Sequence, residues 1–302
     1  MRHRFTQLLT TCISRLTQAG LIAIALSTIA SAAPPLLGNP PAQRAMSDRP
    51  DDVSGSQIHV IYAVPAGGID KGLDTSIALT NSVGSMNNWL SGQTGGRWLQ
   101  FDTAGGALDA TFVQLPGTDV HYDASGARKR DAIEAQLKSS GMLRPEKIYA
   151  VFYEGGNPRA CADAPNPPAL PGQVTIWYLQ GLSSGRWPCA SNPFAASQTA
   201  KAGYRELSLL HELLHTLGAV SANAPHYDNT HVGSDPTDIM YAGSQPWVPS
   251  VLDVTKSNYY NPNGLPGNIF NLAKSTFLMT GTAAQSGNSY TGPQPWIELM
   301  FD

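Results

Sequence analysis

The chain has 302 residues, 42% of them apolar, and a formal charge of −3. It is long enough to bury one sizeable core. Its acidic balance and lack of a long basic run argue against a nucleic-acid partner, because the triplet Arg128-Lys129-Arg130 reads as a solvated helix face.

Residues 1–32 read as a secretory signal. Arg2, Arg4 and Arg15 precede a short apolar core, Leu21-Ile22-Ala23-Ile24-Ala25-Leu26, and Ala30-Ser31-Ala32 offers a small-residue cleavage site. The apolar run is short and soon meets Pro34-Pro35, which disfavours a membrane span. The expected location is therefore secreted or periplasmic, with no stable membrane anchor after cleavage; an uncleaved anchor is the alternative. Loss of three Arg and no acid takes the formal charge from −3 to −6. Residues 33–55, rich in Pro, Ala, Ser and Asp, read as an exposed leader or linker. They contain no Cys that could block a metal ion. Removal of Cys12 with the signal leaves Cys161 and Cys189, and in an exported protein these are expected to pair. The chain-entropy argument credits such a bridge with roughly 3–4 kcal/mol.

From Ser56 onward a single domain, 56–302, is expected. Gln57 to Pro65 reads as a strand, with His59 a strand residue rather than a ligand. Residues 73–91 read as a helix, 97–103 as a strand after Gly95-Gly96, and 126–139 as a charged amphipathic helix ended by Gly141. The apolar run 147–154 suits a central strand. A Gly/Pro/Asn-rich loop then leads to a further strand, 174–180. Beyond Gly218 periodicity fades, apart from a weak helical pattern over 268–279.

The candidate chemistry lies in His211-Glu212-Leu213-Leu214-His215-Thr216-Leu217-Gly218. Residues four apart share a helix face, so His211 and His215 can aim two imidazoles at one metal ion. Glu212 borders the same site as a candidate general base. Leu207, Leu210, Leu214 and Leu217 give the helix a face to bury, and Gly218 suits its end. A hydrolytic zinc site needs three protein ligands and one open position. Downstream, only His226, His231, Glu298 and scattered Asp residues remain; an Asp or an upstream residue is also open.

His211, Glu212, His215 and Gly218 match the start of the motif H-E-x-x-H-x-x-G-x-x-H, and the chain resembles the metzincin clan of zinc endopeptidases. Ser221 stands where that motif has its third His. The segment from His231 through Asp235-Pro236 to Met240-Tyr241 is similar to the matrix metalloproteinase stretch from third His to Met-turn. An insertion of about ten residues reconciles the two. The resemblance implies His231 as third zinc ligand, with His226 the alternative, and Met240 in a Met-turn. It covers residues 205–241.

The resemblance further implies an α/β (α+β) metzincin-like fold. A twisted, mostly parallel sheet with the active-site helix would form an upper subdomain (56–218), and a small irregular C-terminal subdomain (219–302) would carry the third ligand. Residues 174–180, or the segment after them, would border the cleft and pair with an extended substrate, the alternative being an ordinary sheet strand. The implied activity is a zinc-dependent endopeptidase with Glu212 as general base, acting as a monomer on protein or peptide. Tyr241, Tyr259 and Tyr260 are candidates for helping at the oxyanion. The competing readings are a secreted binding protein with a structural or silent metal site, and a zinc amidase acting on cell-wall material. Asp228, Asp235 and Asp238 leave calcium open as a second ion, although no loop matches a calcium pattern.

Overall fold

A computed structural model describes residues 33–124, 128–181 and 192–280. The expected signal, Cys189 and Glu298 lie outside the described residues. The chain runs through β1 (Gln57–Val64), α1 (Ile77–Thr94), β2 (Arg97–Leu99), the small hairpin of β3 (Thr103–Ala104) and β4 (Ala107–Leu108), and β5 (Ala110–Gln114). It continues through α2 (Asp119–Asp123), α3 (Lys129–Ser139), β6 (Lys147–Tyr153), β7 (Ala162–Asp163), β8 (Val174–Tyr178) and α4 (Tyr204–Thr216). The last described elements are β9 (Tyr227–Asp228), β10 (His231–Val232) and β11 (Leu278–Thr280).

A mixed α/β architecture results. Five strands lie in the order β5-β1-β6-β8-β7; the first four are parallel and β7 runs antiparallel to β8. Every residue of β1, β6 and β8 is buried, as expected of parallel strands covered on both faces. The two-residue period of β1 divides the core. Ile58, Val60, Tyr62 and Val64 join a cluster with Leu79, Val83 and Met86 of α1 and Leu209, Leu210 and Leu213 of α4. Ile61 and Ala63 face the opposite cluster, with Ile133 and Leu137 of α3.

Glu206 fixes α4 against α1. One of its carboxylate oxygens accepts from the Gly203 backbone N–H at the start of α4 (2.9 Å). The other accepts from Ser82 Oγ of α1 (2.7 Å). The sheet side is tied by the paired hydroxyls of Thr175 in β8 and Thr216 in α4, 2.5 Å apart. The helix that carries the His-Glu motif is thus positioned from two directions.

Several sequence expectations change. The helix expected over 73–91 begins at Ile77, after a 3-10 turn at Leu73–Thr75, because the Ser76 side chain caps it by accepting from Ala78 N. The strand expected over 97–103 stops at Leu99, where the chain changes partners: Gln100 N donates to Phe277 O while Gln100 O accepts from Ile58 N. Besides β6, the main-sheet neighbour of β1 is instead β5, for which the sequence pattern gives no signal. Within residues 268–279 the only helical element is a 3-10 turn, Leu272–Lys274, and the segment ends in β11, which pairs with β2. The C-terminal segment therefore returns to the sequence assigned to the upper part, and the described residues form one compact unit. Residues 174–178 lie between β6 and β7, so β8 is an interior strand and not the open edge. The segment after residue 181 lies outside the described residues up to 191.

The leader does not stand away from the body. Phe112 N of β5 donates to Ala45 O, and Gly38 N donates to Gly106 O, each at 2.8 Å. Arg44 reaches Asp70 and Asp74 (2.6 and 2.7 Å) and its guanidinium lies 3.6 Å from the centre of the Phe112 ring. Asp48 and Asp51 meet the ammonium of Lys147, each at 2.8 Å, and the same nitrogen lies 2.6 Å from Asp102. This lining covers the outer edge of β5, which a bare strand would expose to other chains. His59 proves structural: Nδ1 is 2.7 Å from Asp102 Oδ2, and Nε2 is 2.9 Å from Thr111 Oγ1. Asp48, His59, Asp102 and Asp109 stand close enough to share a cation, but Lys147 and Arg49 already pair with carboxylates there.

The Lys147 side chain is only 3% exposed, so its loss would strand Asp102 in the interior. Lys147→Met is expected to lower the unfolding free energy by about 3–5 kcal/mol, read by denaturant titration at neutral pH. A loss below about 1 kcal/mol would show that this cluster does not hold the leader. Burial opposes the Asp102 charge, but His59 and Lys147 outweigh it and hold the carboxyl below its ordinary range. A depressed carboxyl contributes stability at higher pH, and that contribution should be lost as pH falls through the lowered value.

Candidate metal centre

The spacing of α4 places His211 and His215 one turn apart on a helix whose apolar side is packed; Leu210, Leu213 and Leu214 show no exposure. Gly218, at φ 94°, ends the helix and lies against Phe270. Ser221, at the position of the motif's third His, serves the local backbone instead, and its Oγ accepts from Phe270 N (3.3 Å). The inserted residues then lead into the β9–β10 hairpin, in which His231 pairs with Asp228. Its two turn residues, Asn229 and Thr230, both have positive φ (46° and 74°), as a two-residue hairpin of the primed type requires.

That hairpin delivers His231 to the helix. His215 Nε2 lies 3.0 Å from His211 Nε2 and 3.0 Å from His231 Nε2. His226 lies elsewhere: its Nδ1 is 3.1 Å from Asn258 Oδ1, which also accepts from His226 N. Of the two downstream candidates, the structure brings His231 to the pair and not His226.

The remaining ring nitrogens are engaged from three different segments. His211 Nδ1 is 2.6 Å from Ile239 O, His215 Nδ1 is 3.0 Å from the Asn166 side-chain amide, and His231 Nδ1 is 2.9 Å from Asn229 O. A proton on each Nδ1, which at His215 requires the Asn166 amide to turn its oxygen to that nitrogen, leaves three Nε2 lone pairs facing one another. Such an arrangement repels unless a cation sits among them. A tetrahedral zinc site calls for nitrogens roughly 3.3–3.4 Å apart, close to the observed separations, and the residues present fit that ion. Burial lowers the basicity of all three rings, and neighbouring imidazoles add to the fall at His211 and His215. His211 falls to about 3, His215 falls well below its ordinary value, and His231 is lowered mainly by burial. All three are therefore neutral at pH 7, the form that ligates.

Glu212 lies beside this cluster and lines a cavity of about 230 Å³ with Tyr204, Ser208, Tyr241, Gln245 and Trp247. Burial pushes its carboxyl up to about 8, Asp163 adds to the rise, and Arg128 opposes it. Asp163 on β7 is itself ion-paired with Arg128. Trp247 stands edge-on to both Tyr204 and His211 (5.5 and 5.9 Å between ring centres). Gly243 permits this wall: a Cβ there would lie 2.4 Å from the Tyr241 hydroxyl.

The floor of the site is organised by Asp238. Its Oδ1 accepts from Met240 N (2.9 Å) and Tyr259 OH (2.7 Å), and its Oδ2 from Val254 N (3.1 Å). Burial raises this carboxyl to about 6 against those donors. The turn so fixed buries Met240 completely and aims the adjacent Ile239 carbonyl at His211. Tyr259 thus has a structural partner, as does Tyr260, whose hydroxyl donates to Thr94 O (3.0 Å). Tyr241 OH accepts from Gln245 N (2.9 Å) at the cavity wall. Among the described residues, Asp228, Asp235 and Asp238 do not converge on a common point. Cys161 is buried.

Sequence reasoning does not reach Asn166 or Asn229. Both lie in loops, where no periodicity signals a role; the Asn166-Pro167-Pro168 run marks only a turn.

No family model matches the chain, and no curated protein matches it. Among solved structures it is similar to one titled "Structure of a chaperone-substrate complex", at 13% identity and a TM-score of 0.31, over 64% of this chain and 32% of that one. The chain thus spans about a third of the matched chain's length. A likeness this slight carries no argument about the site.

In purified protein reconstituted with zinc, His231→Ala is expected to lose one zinc per chain and His226→Ala to keep it, as measured by elemental analysis. The reverse result would assign the third position to His226.

Proposed function

We propose that this protein is an exported, zinc-dependent endopeptidase of metzincin-like fold. The observation that carries the reading is the meeting of three imidazoles at their Nε2 atoms, with the Glu212 carboxyl beside them in the lining of a side-chain-sized cavity. A structural metal site has no need of that carboxylate. His211, His215 and His231 would hold the ion. Zinc there would supply Lewis acidity toward a water and a scissile carbonyl.

The protein groups do the rest. Glu212, which lines the cavity beside the three rings, takes the proton of the attacking water and passes it to the leaving amine. The cavity lined by Tyr204, Tyr241 and Trp247 receives a side chain flanking the cleaved bond. The outer side of β7, at the sheet edge next to α4, offers backbone groups to an extended chain. Ile239 O, Asn166 and Asn229 O keep the three rings oriented. Export rests on the N-terminal sequence pattern, and the partner is a protein or peptide in extended conformation.

Glu212→Gln is expected to keep its zinc and lose about 10²–10⁴-fold in peptide cleavage, measured against a peptide library after reconstitution. Undiminished cleavage by this variant would end the assignment. Zinc binding without peptide cleavage by the parent, but with release of peptidoglycan fragments, would move the activity to cell-wall amides.

A further inference from the structure

The loop between β7 and β8 contributes a side chain to the metal centre that lies far from the motif in sequence. Asn166 is 49 positions before His215, yet its Nδ2 stands 3.0 Å from His215 Nδ1. The loop is built to hold it there. Asn166 N donates to Leu170 O and Leu170 N donates to Asn166 O, each at 2.8 Å. These two bonds close a tight bracket around Pro167, Pro168 and Ala169, and the two proline rings fix their own φ angles. The bracket hangs from β7, which pairs with β8. β8 is in turn tied to the end of α4 through Thr175 and Thr216. Asn166 and His215 therefore share one rigid frame.

We infer that Asn166 is a positioning residue for His215, fixing the ring's tautomer and direction so that its Nε2 meets those of His211 and His231. The inference rests on the zinc reading above. A ring that offers Nε2 as a lone pair carries its proton on Nδ1, so its partner there must accept. A half-turn of the amide brings Oδ1 to that place without moving the backbone; which end of an amide faces a partner follows from the hydrogen-bond network. The other two rings already have backbone carbonyls in this role, Ile239 O and Asn229 O. Asn166 completes the set, and it is the only one of the three that a substitution can remove. It acts through His215 and touches no substrate.

Asn166→Leu keeps the size and removes the acceptor; Asn166→Asp keeps an acceptor and removes the donor. Zinc affinity of the whole protein, measured by competition with a chromogenic chelator at fixed neutral pH, is expected to fall about 10–100-fold in Asn166→Leu. In Asn166→Asp it should stay within about threefold of the parent or become tighter. Thermal unfolding of the zinc-free variants serves as control, and should change little beside the change in affinity. Parent-like zinc affinity in Asn166→Leu would overturn the inference. So would equal weakening in both variants, because that pattern belongs to loop packing or to a donor role. A parent that binds no zinc would sink this inference and the functional reading together. A parent that binds zinc with Asn166-dependent affinity but cleaves no peptide would sink only the functional reading.

Discussion

Three uncharged imidazoles aimed at one point repel one another, and the rest of the site consists of what holds them there. Their Nδ1 atoms are gripped from segments far apart in the chain: the turn at Asp238–Met240, the Pro-rich loop at Asn166 and the hairpin turn at Asn229. Each grip leaves Nε2 free and pointing inward. Burial lowers the basicity of the rings, so they stay neutral, and raises that of Glu212. One environment therefore shifts the rings and the carboxyl in opposite directions, because burial disfavours the charged form of each.

That arrangement depends on frames that are themselves polar and buried. Glu206 locks α4 to α1, Asp238 gathers donors from Met240, Val254 and Tyr259, and Lys147 ties Asp48 and Asp51 of the leader to Asp102. Buried charges of this kind are destabilising unless each is partnered. Their partners come from distant parts of the sequence, so each cluster joins two segments that apolar packing alone would leave free to slide. The leader shows the effect. Its composition suggests an exposed linker, yet pairing with β5 and with Lys147 makes it a cover for the sheet edge.

Legibility in the sequence follows the source of each signal. β6 and β8 are readable because fully buried parallel strands are continuous apolar runs, and α4 because its Leu spacing and the His-Glu pattern share one period. β5 escapes notice because Ala110–Gln114 is short and follows the β3–β4 hairpin. Residues 97–103 read as one strand because the alternation persists through Gln100, where the chain in fact exchanges partners. Residues 174–180 cannot be ranked as edge or interior from sequence, since a buried strand looks the same in either place until its neighbours are known.

The sequence by itself determined the helix that carries His211, Glu212 and His215, because four-residue spacing on a helix fixes which side chains share a face. It left His226, His231, an Asp or an upstream residue open as the third group. Only the tertiary structure shows that His231, and not His226, meets the pair. The choice turns on the hairpin with positive φ at Asn229 and Thr230, which carries His231 inward, while Asn258 holds His226 away. The partners of the rings, Asn166 above all, were likewise a tertiary matter. A hydrogen bond between a loop and a helix 49 positions apart leaves no periodic trace in either segment.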